Sequence, residues 1–316
     1  MTRYILRRLI QLIPVLFGIS LVVFLIMALL PGDPALAILG PYATPEALAS
    51  LRAELGLEQP LWKRFVIWLG NVLQGDLGRS ITLQRPVVDE IAERIGPTLL
   101  LAATALTLAT VLGLAAGAIA AAHRRGWQDR VLTLVVLLGI SMPQFWLALL
   151  LILGFAVWLG WLPVSGMFSA YGGGDFADLL RHLVLPASSL AVVVTGVIAR
   201  LSRTAMLEEL SQDYVRMARA RGLTERKVVY KHAFVNMLAK MVPVIGLQAG
   251  FLLGGAVYIE SVFQWPGIGR MLVDAIASRD LMLVQGGVLV MASSYVLVNL
   301  VADVVQHRLD PRIGLE

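Results

Sequence analysis

The chain contains no cysteine, which excludes a disulfide framework and a thiolate metal site. Charge is also scarce: Asp, Glu, Lys and Arg make up 15% of the 316 residues, where a soluble domain carries about a quarter. Lysine occurs four times, at Lys63, Lys227, Lys231 and Lys240, and none sits in the glycine-rich GKS or GKT setting that cradles nucleotide phosphates. HExxH and GxSxG are absent, and no apolar run contains a pair of acids. The four histidines, His123, His182, His232 and His307, fall at the ends of apolar runs or in loops. There an interfacial or hydrogen-bonded role is expected rather than metal ligation. The sequence therefore offers no catalytic, cofactor-binding or metal-binding set, which disfavours an intramembrane enzyme.

What is abundant is apolar. Hydrophobic residues make up 58% of the chain and the mean hydropathy is +0.79. Runs of about 20 such residues, the length needed to cross a bilayer, recur along it. Six spans are expected: Leu9–Leu30, Thr98–Ala122, about Val131–Leu159, Leu183–Ala199, Met241–Ile259 and about Leu281–Ala302. The first follows Arg3, Arg7 and Arg8 and precedes Ala35-Leu36-Ala37, an arrangement that also fits a signal peptide. Its apolar run is too long for the 7–15 residues of such a peptide, so an uncleaved span is expected. The second is rich in Ala, Gly and Thr, small residues that let helices pack closely in a bundle interior. The third is interrupted by Ser141-Met142-Pro143, where a kink is expected.

The segments between the spans fix an expected topology. With the N-terminus inside, the inside segments hold 17 Lys and Arg residues and the outside segments 9. Both termini are therefore expected in the cytoplasm. Three regions are expected: residues 1–30, an extracytoplasmic segment 31–97, and a core of 98–316 with a cytoplasmic loop at about 200–240. In the 31–97 segment, Thr44-Pro45-Glu46 predicts a capped helix start and Gly56 its stop. Trp62, Phe65, Trp68 and Leu69 share one face of a helix over 61–73, suited to an interface or to the membrane surface. A further helix, Pro86–Ile95, is expected to stop before Gly96-Pro97. A Gly-rich loop, Gly172–Gly174, and a tail around Asp310-Pro311-Arg312 complete the connections.

No span carries a central Asp, Glu, Lys or Arg, whereas ion-coupled carriers keep such groups at membrane depth. Any driving force is then expected from another subunit. The place for it is the charged stretch Gln212–Asn236. Leu207, Leu210, Tyr214 and Met217 follow helical spacing, with Glu208, Glu209, Asp213, Arg216 and Arg219 opposite. Gly222 predicts a stop and Thr224-Glu225 a second helix start. A solvated positive-inside loop is the bland reading of this stretch. The apolar stripe and the punctuated helices favour an element on which a partner docks.

The run DYVRMARARGL followed by KHAFVN resembles the EAA-type cytoplasmic motif of ABC importer permeases, in its peptide-importer branch. Aligned on Gly222, only Ala218 and Gly222 match the strict pattern. RYILRRLIQLIPVLFGIS with LPGDPA, GDLGRSI with RPVVDEI, SVFQWPGIGRMLVDAI with VQGGVL, and DPRIG resemble further stretches of the first permease subunit of dipeptide, oligopeptide and glutathione importers, in the same order. The resemblance implies an all-α integral membrane protein of the type I ABC importer transmembrane fold, multi-pass in the bacterial inner membrane. It implies a second homologous permease, two ATPase subunits that bind the ATP and magnesium, and an extracytoplasmic substrate-binding protein. By the same resemblance Tyr214, Arg216, Ala218, Arg219, Ala220, Arg221 and Gly222 form the coupling helix that docks on an ATPase. Trp265, Pro266 and Gly267 would form an external gate or a binding-protein contact, although a membrane-surface anchor fits them equally. The path would follow small-residue faces of the second to fifth spans. Dipeptides, oligopeptides, glutathione and nickel chelates are the candidate substrates. The alternatives are a self-contained secondary carrier or channel, and a membrane scaffold without transport; no nucleic-acid partner is expected.

Overall fold

A computed structural model describes residues 2–29, 34–40, 43–54, 56–169 and 174–309. Gly172, Gly173, the Pro31-Gly32-Asp33 exit of the first span and the Asp310-Pro311-Arg312 tail lie outside these residues. The helices are α1 (Thr2–Leu29), α2 (Pro34–Leu39), α3 (Pro45–Glu54), α4 (Leu61–Leu73), α5 (Val87–Ala122), α6 (Trp127–Ser141), α7 (Gln144–Leu151), α8 (Phe176–Leu210), α9 (Asp213–Ala220), α10 (Glu225–Lys227), α11 (Phe234–Val262), α12 (Ile268–Ala277) and α13 (Leu281–Leu309). Wider π-helical turns continue α7 over Ile152–Trp158 and join α10 to α11 over Val228–Ala233.

Five helical stretches among the described residues are long and apolar enough to cross a membrane, and the α6–α7 pair makes a sixth if it counts as one span. The six spans expected from hydropathy thus correspond to these five helices and the bent α6–α7 pair. Their boundaries differ, and three of the differences bear on the fold. First, Pro86–Ile95 and Thr98–Ala122 are one helix, α5, which runs through Gly96-Pro97. A proline removes a single backbone hydrogen bond, and membrane helices tolerate that loss where neighbours compensate. Second, α6 and α7 meet at 106°, a break rather than a kink. The Met142 amide still bonds the Leu138 carbonyl (3.1 Å), and Pro143 then opens the next helix from an extended conformation. Third, residues 200–210 complete the α8 helix instead of opening the charged stretch.

The chain divides into two compact units, residues 1–96 with 267–296 and residues 97–266 with 297–316. In the first, Val23 and Met27 of α1, Val87 and Ile91 of α5, Ile268, Met271 and Leu272 of α12, and Leu283 and Val284 of α13 form one apolar core. Phe65 of α4 is buried edge-on against Phe17 and Phe24, at centroid distances of 5.8 and 5.3 Å. Trp62 lines the same groove as Phe65 and Leu69, on the expected face, and is 70% exposed. The expected punctuation is in place. The Ala47 amide donates to Thr44 Oγ1 (3.2 Å) at the start of α3, and Gly56 has φ +63 beyond its end. Asp280, fully buried, accepts from the Ser80 hydroxyl and from the amides of Thr82 (3.0 Å) and Leu283 (3.2 Å). It thereby caps α13 and holds the 79–86 turn.

In the second unit α8 is the central rod. From Leu183 to Ala199 it is apolar or small all round, and its neighbours are α5, α6, α7 and α11. Leu190, Val194, Ile198 and Met206 pack with Leu101, Ala105 and Ala109 of α5 and with Met237, Met241, Leu252 and Ala256 of α11. Gly117 of α5 is what permits the closest approach: a Cβ there would stand 2.6 Å from the Ala199 carbonyl oxygen and 2.8 Å from the Arg203 nitrogen. The small residues of this span thus allow the close approach expected of them, while Val111 and Leu112 on another face are exposed.

Candidate functional site

α9 begins two residues after α8 ends, across the bend Ser211–Gln212. Because of that bend, Leu207 and Leu210 lie on a different helix from Tyr214 and Met217, and the expected continuous stripe does not exist. The buried side of α9 is Val215 and Ala218, which pack with Val228 and Leu210. Met217 is 56% exposed. Arg216, Arg219, Ala220 and Arg221 are exposed too.

Gly222 ends α9 with φ +76, a conformation that L side chains adopt only at a cost. Its amide bonds the Arg219 carbonyl (2.9 Å), and the Leu223 amide returns to the Ala218 carbonyl (3.3 Å). Thr224 then starts α10 from an extended conformation, without a side-chain cap bond. α10 runs through the π-helical turns into α11, so the expected second helix of the knob is the beginning of the fifth span.

The charges of α9 are not equivalent. Arg219 donates to both oxygens of Glu225 (2.7 and 3.3 Å) and so clasps the Gly222 turn. Arg216 meets Asp213 at 3.3 Å, a solvent-exposed pair of little energetic weight. Among the described residues Arg221 has no acidic partner. Tyr214 turns back onto the chain and donates to Glu209 Oε2 (2.6 Å). Burial, and then this bond to a carboxylate, push its phenol above the ordinary range. Glu209 and Lys240, neither assigned a role by the sequence, form a 2.8 Å ion pair beside it. Arg203 of α8 also holds Asp129 of α6 through two bonds (2.7 and 2.8 Å), which fastens the basic 123–130 loop to α8. No local spacing could have shown these pairs, since their partners lie 31 and 74 residues apart.

Trp265 is fully buried, and its indole N–H donates to the Pro97 carbonyl (2.9 Å). Its ring offers neither a membrane anchor nor an exposed contact. Pro266 is half-buried and Gly267 buried, the latter as the extended residue that opens α12. His182 and His123 bond backbone carbonyls through Nδ1 (2.9 and 3.0 Å), as expected of hydrogen-bonded histidines. At the α6–α7 break the Gln144 amide nitrogen is buried without a hydrogen-bond partner among the described residues, beside Gly255 and Leu190.

Comparison with known proteins agrees with this architecture. Residues 113–315 match the family described as binding-protein-dependent transport system inner membrane component, and residues 1–102 match the corresponding N-terminal family. The chain is 44% identical over 313 residues to the glutathione transport system permease protein GsiC of Escherichia coli O6:H1 (strain CFT073), covering 99% of each chain. Identity and coverage are the same for GsiC of Escherichia coli strain K12 and of Shigella dysenteriae serotype 1. Among solved structures, inward facing conformations of the MetNI methionine ABC transporter match with a TM-score of 0.58 and 18% identity, over 69% of this chain and 95% of that one. That likeness shows the fold, the type I ABC importer fold; the family matches count against a self-contained carrier. The chain belongs to the binding-protein-dependent transport system inner membrane component family, and is a multi-pass inner-membrane permease subunit of an ABC importer that works with other transporter subunits.

Proposed function

We propose that the chain pairs with a second, homologous permease to form the path for glutathione or short peptides, released by an extracytoplasmic binding protein and driven by two cytoplasmic ATPases. The near full-length likeness to permeases named for glutathione transport supports the substrate class. In this reading both termini and α9 are cytoplasmic, and segment 31–97 with the Trp265-Pro266-Gly267 turn lies on the binding-protein side. The spans carry no central charge that would select a substrate, which leaves selection to the binding protein. ATP and magnesium are held by the partners, and this chain contributes no catalytic group.

The observation that carries the reading is α9: a short helix fixed on its inner side by Val215 and Ala218, with Arg216, Ala220 and Arg221 outward. Such a helix fits a groove lined by acidic residues on an ATPase. Arg221, free of any acidic partner among the described residues, is the cation to meet them. Arg219, occupied by Glu225, braces the turn. The test is the reconstituted importer carrying Arg221→Glu. ATPase co-purification and binding-protein-stimulated uptake are expected to fall at least tenfold, and wild-type assembly and uptake would overturn the docking role. Uptake of labelled glutathione, a dipeptide and a nickel chelate by the wild-type importer, measured side by side, decides the substrate.

A further inference from the structure

We propose that Glu209 is a positioning residue of the coupling step: its carboxylate is the joint through which movement of α9 reaches both α8 and α11. The inference rests on the reading of α9 as the ATPase contact and adds how that contact is linked to the spans. Glu209 belongs to the last turn of α8, Tyr214 to α9 and Lys240 to α11. One oxygen of Glu209 accepts the Tyr214 hydroxyl (2.6 Å) and the other meets the Lys240 ammonium (2.8 Å). One buried side chain thus holds three elements, with each of its two oxygens given to a different helix.

The surroundings make this more than a surface ion pair. Glu209 is 6% exposed, and Lys240 reaches out to the exposed Glu208 as well (3.4 Å), so the ammonium bridges a buried and a solvated acid. A carboxylate taken out of water persists only if its lone pairs are met, and here both oxygens have partners. The bend at Ser211–Gln212 separates α9 from α8 by two residues that make no side-chain hydrogen bond to α11 among the described residues. The chain alone would let α9 swivel on that bend. The apolar contact of Val215 and Ala218 with Val228 resists translation of α9. The Glu209 bonds add direction, since charge-assisted hydrogen bonds are short and angular. A push on the exposed face of α9 then turns α8 and α11 together instead of bending the linker, which is what a rigid relay between a motor and two spans requires.

The experiment uses the complete importer, with partner permease, ATPases and binding protein, in nanodiscs or liposomes. Glu209→Gln keeps the size and an acceptor for Tyr214 but removes the ion pair; Lys240→Met removes it from the other side. Each is expected to leave ATPase co-purification and basal hydrolysis within twofold of wild type. Each is also expected to lower uptake per ATP hydrolysed, and stimulation by loaded binding protein, about five- to tenfold. The double variant should be no worse than either single one, because both delete the same link. Uptake per ATP unchanged in the single variants, or losses that multiply in the double, would overturn the joint. If E209Q does not accumulate in the membrane, K240M combined with Tyr214→Phe asks the same question of the two partners with the carboxylate intact. The coupling reading is judged separately: if Arg221→Glu leaves the ATPases bound, α9 is not their contact. If R221E releases them while E209Q couples normally, the joint alone falls.

Discussion

Replacing Gly117 by alanine should destabilise the bundle, whereas the same replacement at Gly254 should not. Both glycines lie inside span helices, so each Gly→Ala change gains about 0.5–1 kcal/mol from the backbone alone. At Gly254 the new methyl meets nothing within 4 Å. At Gly117 it would stand 2.6 Å from the Ala199 carbonyl oxygen and 2.8 Å from the Arg203 nitrogen, and would also strike the Ser202 hydroxyl. Two of those three obstacles are backbone and cannot rotate away, so α5 and α8 must separate. Overpacking of this kind costs about 1–3 kcal/mol. Set against the helical gain, it leaves a net loss of up to about 2.5 kcal/mol, or roughly 1–4 °C in midpoint for a chain of this size, while G254A should gain by a fraction of that. Thermal denaturation of the purified chain in detergent, followed by fluorescence-detected size exclusion, resolves such a shift. Equal midpoints for G117A and G254A, or a rise in both, would refute the close approach of α5 to α8.

Three further outcomes follow from the geometry. Gly222→Ala forces a side chain onto φ +76 at a cost of about 1–2 kcal/mol; with no neighbour within 4 Å, the effect is backbone strain alone and should appear as faster hydrogen exchange at the end of α9 with the spans unchanged. Trp265→Phe keeps most of the buried ring and gives up only the indole bond to the Pro97 carbonyl, a loss of about 0.5–1.5 kcal/mol readable as a lower midpoint, and Trp265→Ala should cost about 3–5 kcal/mol. Asp280→Ala removes the acceptor for the Ser80 hydroxyl and the Thr82 and Leu283 amides, so limited proteolysis should cut the 79–86 turn at least several-fold faster than in wild type.

The spans were legible because hydropathy over 20 residues is a strong, local signal, and so were the stops at Gly56 and Gly222, where positive φ demands glycine. Thr44 was legible as a cap for the same local reason. The misreadings share a cause. The Leu207–Met217 spacing looks helical as a string, but Ser211–Gln212 bends the chain in the middle and hands the buried face to Val215 and Ala218. Pro97 looks like a stop but sits inside a helix, since in apolar surroundings the remaining backbone bonds outweigh the missing one. Glu209 counted among the residues of a polar face, yet it is buried and paired with Lys240, 31 residues away, which no spacing rule connects to it. The burial of Trp265 and its bond to the Pro97 carbonyl, 168 residues distant, are likewise beyond any local pattern.

The lengths of the central helices carry a consequence of their own. At 1.5 Å per residue, the 36 residues of α5 and the 35 of α8 make rods of roughly 50 Å, while the hydrocarbon layer is only about 30 Å thick. Even a tilt of about 40°, the upper end of what spans show, leaves roughly 10 Å of each rod standing in water. The ends of the permease are therefore beams that overhang the bilayer rather than tethers. A push on such an overhang would tilt the helix as a lever, with the displacement at membrane depth set by the distance to the pivot, and without a loop having to become ordered first.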